Sequence, residues 1–420
     1  MKLAFFVDQF PVLSQTFVLN QITGLLDLGV DVTILALNRG DETLNLHQDY
    51  RDYRLHERTI YLLDEAQSSR YKALKRLFSL GRACFGPRLL TVFKSLNFWR
   101  YGHQAKSLLL GSISAQCHSP LQYDVILAHF GFNGVTANQL RELGVIQGQV
   151  ATVFHGFEIS SHQALRQHLQ NYRRLFDQGA CLLPISELWQ QKLITLGANP
   201  DKVFVHRMGI DLKRFEFRSL QSSGQAIPPE STSGRVLQLF TVARFTEKKG
   251  LKYALEAIAK LKDEIAVHYR LAGYGELMAE VQGLIAELGI SGQVTLLGPV
   301  GQQEVKEELL KADVFLQPSI TAANGDMEGI PVTIMEAMAR GTLVVSTLHS
   351  GIPELIIHEK HGLLSPERDV QALTENLLRA YHAPNEMAIL RENARQQIEV
   401  LGDVDKLNRD LLKKLQQLLP

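Results

Sequence analysis

Cysteine is scarce in this chain: three among 420 residues, at Cys84, Cys117 and Cys181. An odd, widely spaced set suggests neither a disulfide framework nor a zinc cluster, and it fits a reducing compartment. Charge of one sign is missing too, since 44 Lys and Arg balance 44 Asp and Glu. Nothing global therefore points to nucleic acid as a partner. No uninterrupted apolar run reaches the length of a membrane span. The opening MKLAFFVDQF loses its apolar character at Asp8, and no small-residue cleavage site follows, which argues against a secretory leader. The expected location is the cytoplasm, in solution or resting on a membrane surface. An Asp-x-Asp pair in a strand-end loop is also lacking. The only such pair, Asp403 and Asp405, opens a terminal helical pattern, where acidic residues compensate the helix dipole. No catalytic metal is expected.

What is present is an α/β alternation on an ordinary globular composition, 45% hydrophobic and 21% charged, long enough for two domains with separate cores. Residues 3–7 read as a buried strand. A helix follows with Val18, Leu19, Ile22, Leu25 and Leu26 at helical spacing, ended by Gly29, and residues 30–37 form the next strand. This β–α–β opening predicts a parallel sheet. Residues 124–128, 149–154 and 181–185 continue it, and 203–206 with the following RMGIDLKRF complete the lobe, Asp211 acting as a structural cap. Ser186-Glu187 is a capping signal. The polar, Ser/Gly/Pro-rich stretch 221–235 has linker composition. Beyond it the alternation restarts, with strands over 236–243, 266–272, 293–297 and 313–317 and helices over 251–261 and 277–288. The expected division is 1–212, then 213–402 with a linker near 219–235, then a helix within 403–420.

The stretch NGDMEGIPVTIMEAMARGTLVVSTLHSGIPE, 324–354, carries the most chemistry. Proline suits a helix's first turn, so a helix begins near Pro331; Gly341 suits the position past its end, and 342–346 reads as a buried strand. Glu328 then sits in the loop before the helix and Glu336 lies inside it. A helix N-terminus seats phosphate through unpaired N–H groups and a partial positive charge. Carboxylates flanking that seat accept hydrogen bonds from hydroxyls, such as those of a sugar and a ribose. The plainer alternative is a pair of solvated charges at a helix start.

The whole string resembles the C-terminal signature of the family 4 retaining glycosyltransferases, with Glu328 and Glu336 matching their paired glutamates. The loop QFPVLSQTF after the first strand replaces the double-glycine loop of many members and is similar to the F-P-x-x-S-x-T-F loop of colanic-acid and related exopolysaccharide transferases. The resemblance implies the GT-B fold, two doubly wound parallel-sheet lobes facing a central cleft, with the C-terminal helix packing back on the first lobe. It implies transfer of a hexose from a nucleotide diphosphate sugar, a substrate and not a cofactor, to a lipid-linked glycan, with retained configuration and no metal. In A-R-F-T-E-K-K-G, Arg244 and Lys249 match an Arg…Lys pair that neutralises the diphosphate, the Arg as a planar fork and the Lys as a point charge. Gly329, Ile330 and Pro331 line the phosphate seat, Gly273 and Gly275 match a loop near the nucleotide, and Leu297-Gly298 a segment beside the base. His155-Gly156 matches the histidine that meets the donor hexose.

Other candidates rest on position. His129 also follows a strand's C-terminal end, where an open α/β sheet faces its ligand crevice, and Glu158 either orients a group in the cleft or caps a helix at Ser160-Ser161. Ser14, Gln15 and Thr16 are either acceptor contacts or helix caps. Residues 66–123 contain no acidic residue but nine basic ones between Arg70 and Lys106, interleaved with Phe78, Phe93, Phe98 and Trp99. A basic, aromatic-bearing amphipathic segment suits an anionic bilayer; the alternative is a helical hairpin packed on the sheet with its basic face solvated. Two further function classes stay open: a nucleotide-sugar epimerase or phosphorylase of the same architecture, and a non-catalytic sugar-binding subunit.

Overall fold

A computed structural model describes residues 1–12, 15–40, 48–63, 69–83, 88–217 and 234–419, without the side chains of 69–73 and 82–83. Ser14 and most of the expected linker lie outside the described residues. Two six-stranded, all-parallel sheets form the scaffold. The first contains β1 (Lys2–Phe10), β2 (Asp31–Arg39), β3 (Thr59–Tyr61), β4 (Leu121–His129), β5 (Ile146–Phe154) and β6 (Cys181–Pro184), in the order β3-β2-β1-β4-β5-β6. The second contains β7 (Val236–Val242), β8 (Ala266–Ala272), β9 (Val294–Gly298), β10 (Val314–Gln317), β11 (Leu343–Thr347) and β12 (Leu363–Ser365), in the order β12-β11-β10-β7-β8-β9. Central strands are near-continuous apolar runs because helices cover both faces; Leu3–Phe6 and Val125–Ala128 are wholly buried.

Strand order reverses beside β1 in one sheet and beside β7 in the other. Ligand crevices form outside strand C-termini at such switch points. Residues 203–206, expected as a strand, make only a single parallel bridge, Leu182 to Val203. Asp211 does cap, accepting from the Lys213 N–H at 3.0 Å. The helix Val404–Gln416 packs on the first lobe's helix Thr16–Asp27: Leu411 and Leu415 are buried, and Asn408 Nδ2 donates to Asn20 O at 3.3 Å. Asp403 caps that terminal helix, accepting from the N–H groups of Asp405 and Lys406. Among the described residues no helix is long and apolar enough to cross a membrane.

Candidate active site

Arg244 follows β7, and its loop lies against the loop after β8. Phe245 N–H donates to Tyr274 O at 2.8 Å, and Gly273 N–H to Gly298 O at 2.7 Å. Gly273 has φ of 126°, and a methyl there would overlap the Ala243 carbonyl oxygen; one on Gly275 would press on the Phe245 backbone. Only glycine allows this approach. Expected near the nucleotide, these two glycines here seat the loop that carries Arg244. Gly298 closes β9 after Leu297, and the side of Gly298 where a side chain would stand is open space. Arg244 is exposed and makes no ion pair among the described residues.

Beyond β10 the chain reaches Glu328, Gly329, Ile330 and Pro331, then the helix Val332–Arg340. Pro331 is its N-cap at φ −65°, no side chain caps it, and Gly341 ends it at φ 81°. An uncapped N-terminus leaves its first amides for a ligand. Glu328 is buried, and its Oε1 lies 3.0 Å from Lys249 Nζ. The contact is an ion pair without the alignment of a hydrogen bond. Burial pushes this carboxyl up, but Lys249 and then Lys248 outweigh burial and hold it below the ordinary carboxylate value, so it is anionic at neutral pH. Glu336 lacks such help: burial, opposed weakly by Lys306, lifts it to about 7.

Opposite stands the first lobe's His155, following β5. Its Nε2 is 3.1 Å from His129 Nδ1, and its ring lies 4.7 Å from Phe17 and 4.4 Å from Phe130, between centroids. Burial, with His206 nearby, lowers its pKa to about 3, so the ring is a neutral hydrogen-bonding group at physiological pH. His129 does not face the cleft. It is fully buried, stacked on Phe5 behind His155. Glu158 is not a cleft residue either: its Oε1 accepts from the His155 N–H at 2.8 Å and the Gly131 N–H at 3.3 Å, bracing the His155 turn from beneath. Burial raises that carboxyl to about 7. Ser161, and not Glu158, caps the following helix. Gln15 is the N-cap of the Thr16 helix and makes no side-chain cap bond, and Thr16 is the first residue of the helix and not its cap.

The walls meet at Gly329. A methyl there would overlap the His155 carbonyl oxygen. Met327 N–H donates to Ser160 Oγ at 3.2 Å, and His162 N–H to Asn324 O at 2.9 Å. Glu354 reaches across to accept from the N–H groups of Glu187 and Leu188, each at 3.0 Å, and pairs with Arg207 at 2.9 Å. Sequence reasoning missed three contributors: Glu354, Lys248 and His349. Lys248 donates to Asp326 Oδ1 at 3.1 Å beside the Glu328 pair. His349 Nε2 accepts from the Glu328 N–H at 3.0 Å, which assigns the ring proton to Nδ1 and its donation to Glu367 at 2.6 Å. His349 follows β11 as His129 closes β4, a strand-end signal that was available in the sequence.

Two parallel-sheet lobes facing across a cleft define the GT-B class of glycosyltransferase structures. Anabaena Alr3699/HepE, solved in complex with UDP and glucose, superposes with a TM-score of 0.71 at 18% identity over 99% of this chain and 100% of that one. The sequence model described as "Glycosyl transferases group 1" matches residues 227–397. The protein named for colanic acid biosynthesis glycosyltransferase activity in Salmonella typhimurium, WcaL, is 44% identical over 424 residues, covering 99% of this chain and 100% of its own. The amylovoran biosynthesis glycosyltransferase AmsK of Erwinia amylovora is 44% identical over 422 residues, with both chains covered completely. The chain belongs to the group 1 glycosyltransferases of exopolysaccharide biosynthesis.

Proposed function

We propose that this glycosyltransferase moves a hexose from a nucleotide diphosphate sugar to a lipid-linked glycan at the cytoplasmic face of the membrane, with retention and without a metal. UDP-glucose or UDP-galactose is the favoured donor; a solved structure of HepE contains UDP-glucose. The observation that carries the reading is the Lys249–Glu328 pair at an uncapped helix N-terminus, against the His155 turn of the other lobe.

In this reading Arg244, Lys249 and the amides at Val332 take the charge that develops on the departing diphosphate, which is electrostatic stabilisation of the transition state. Glu328, held anionic, accepts from the sugar hydroxyls, Glu336 from the ribose, and neutral His155 from or to the hexose near its reacting carbon. Among the described residues no carboxylate pair stands as nucleophile and acid in the glycosidase manner. The acceptor oxygen therefore attacks the anomeric carbon on the face the diphosphate leaves. The new C–O bond forms as the C–O bond to phosphate breaks, and the acceptor proton passes to the departing phosphate oxygen. A panel of UDP-, GDP- and ADP-sugars, read by nucleotide release with lipid-linked oligosaccharide, tests the proposal. Release with one donor, dependent on acceptor, is expected. Release without acceptor from every donor, or none at all, overturns it.

A further inference from the structure

The structure assigns an acceptor-sugar platform to the first lobe, built by Phe17, Phe130 and Phe132 beside His155. Phe130 follows β4 with φ 71° and ψ 138°, a region open to glycine and outside the allowed wells of a residue with a bulky side chain. That conformation is held from both sides. The Phe130 N–H donates to Val153 O at 2.9 Å, and its carbonyl accepts from the N–H groups of Asn133 and Gly134, each at 3.0 Å. Asn133 Nδ2 donates to His129 O at 2.9 Å and the Gly131 N–H to Glu158 Oε1 at 3.3 Å, which fixes the residues on either side. Core packing does not compensate the strain: Phe130 and Phe132 are partly exposed and stand outside the lobe's hydrophobic core. Their rings stack on each other instead, with centroids 5.5 Å apart and planes 7° from parallel, and Phe17 meets Phe130 edge-on at 6.4 Å. Phe130 and Phe17 both lie against the His155 ring. The site is at the C-terminal end of β4, next to β1 where the strand order reverses. Strain kept there, in a side chain the core does not use, marks a ligand contact.

Shape and place give the ligand class. A pyranose presents a face of slightly positive C–H groups that packs on the negative face of an aromatic ring, while the hydroxyls at its edge keep their hydrogen bonds. The wall belongs wholly to the first lobe, whereas Arg244, Lys249, Glu328 and Glu336, which hold the donor in the reading above, lie in the second. The sugar on this wall is therefore the acceptor pyranose that carries the attacking hydroxyl. That role rests on the glycosyltransfer reading, but the binding is measured without turnover. Saturation-transfer NMR on the full chain, irradiating aromatic protons, uses methyl glucoside, methyl galactoside, methyl mannoside and farnesyl phosphate as probes. Transfer to the ring C–H protons of at least one pyranoside is expected, weakened about tenfold by Phe130→Leu with Phe132→Leu and little by Phe130→Tyr, which keeps the ring face. In nucleotide release the double variant should raise the KM for lipid-linked oligosaccharide about tenfold and leave the donor KM within about twofold. Phe130→Gly should unfold at a higher urea concentration than Phe130→Ala, because only glycine relaxes this backbone. The platform is overturned by no pyranoside transfer, by transfer the double variant leaves intact, by transfer to farnesyl phosphate instead, by an equal rise in donor KM, or by Phe130→Ala proving the more stable. Pyranoside transfer that the double variant weakens, without acceptor-dependent release from the wild type, supports the platform and counts against the glycosyltransfer reading alone.

Discussion

Lys249 and Glu328 permit a test that separates holding the fold from doing chemistry. Their side chains are 14% and 8% exposed and their charged atoms 3.0 Å apart. Removing one partner of a buried pair strands the other, typically at 3–5 kcal/mol; Lys248 remains near Glu328, so we expect less than that, about 2–3 kcal/mol, for Lys249→Met in urea unfolding at pH 7. Glu328→Gln strands Lys249 instead and should cost less, because that ammonium is the more exposed partner, 14% against 8%. The double variant should lie closer to wild type than the two losses summed, with a coupling of about 1–2 kcal/mol. Turnover should follow another rule. Each single variant should lose about a hundredfold in kcat with the best donor, and the double variant should recover none of it. The carboxyl is held below its ordinary 4.5, so the pair's stabilisation is complete at neutral pH and is lost as pH falls through the lowered value. Near-normal turnover in Lys249→Met would refute the catalytic role, and additive stabilities would refute the pairing itself.

Glu336 should behave oppositely. Its pKa of about 7 against an ordinary 4.5 means the fold disfavours its ionised form, so stability falls as pH rises between those values, by about 3 kcal/mol in full. Glu336→Gln should therefore be more stable than wild type at pH 8, yet raise the donor KM about tenfold through a weaker bond to the ribose; an unchanged KM would remove the ribose assignment. His349 should act as a positioning residue through the Glu328 N–H. Gln places an acceptor where Nε2 stands, so His349→Gln should keep most of kcat while His349→Ala loses about tenfold, about 1.4 kcal/mol. Equal losses in both, measured by nucleotide release at saturating donor, would show that only packing matters.

Much of the fold could be read along the chain because buried parallel strands are short apolar runs set between helical patterns. The helix Leu251–Leu261 and the strand Ala266–Ala272 fall where their periodicity put them. Edge strands β3 and β12, three residues each, are too short to leave a pattern. Residues 203–206 look like a strand but make one bridge, and His206 turns instead to Gln21, Nε2 to Nε2 at 2.8 Å. At the site, Glu328 and the uncapped helix were legible because their logic is local: a loop, a proline and a helix start. His129 and Glu158 were misplaced because what removes them from the cleft is tertiary. A ring stacked on Phe5 and a carboxylate spent on two backbone amides have no local signature. Glu354 was missed for the same reason, its amide partners lying 167 and 166 residues away.

Those long-range contacts decide how the cleft is held. The lobes are joined near the chain crossing, where Ile210 N–H donates to Gly402 O at 2.9 Å and Val404 N–H to Ile210 O at 3.2 Å, and Arg395 donates to both Phe215 O and Ala339 O. They touch again at the mouth, where Gly329 lies under the His155 carbonyl and Glu354 caps the Glu187 helix. An opening motion that spares the crossing must break the mouth, because the crossing is backbone paired to backbone and the mouth is a close approach plus a few side-chain bonds. Glu328 sits at that mouth with its N–H on His349 and its carboxylate on Lys249, both from its own lobe. In the proposed reading the grip on the donor belongs to the second lobe alone, and the distance from that grip to His155 is set by whether Gly329 is seated. Binding and reaction geometry are in this way assigned to different contacts of one loop.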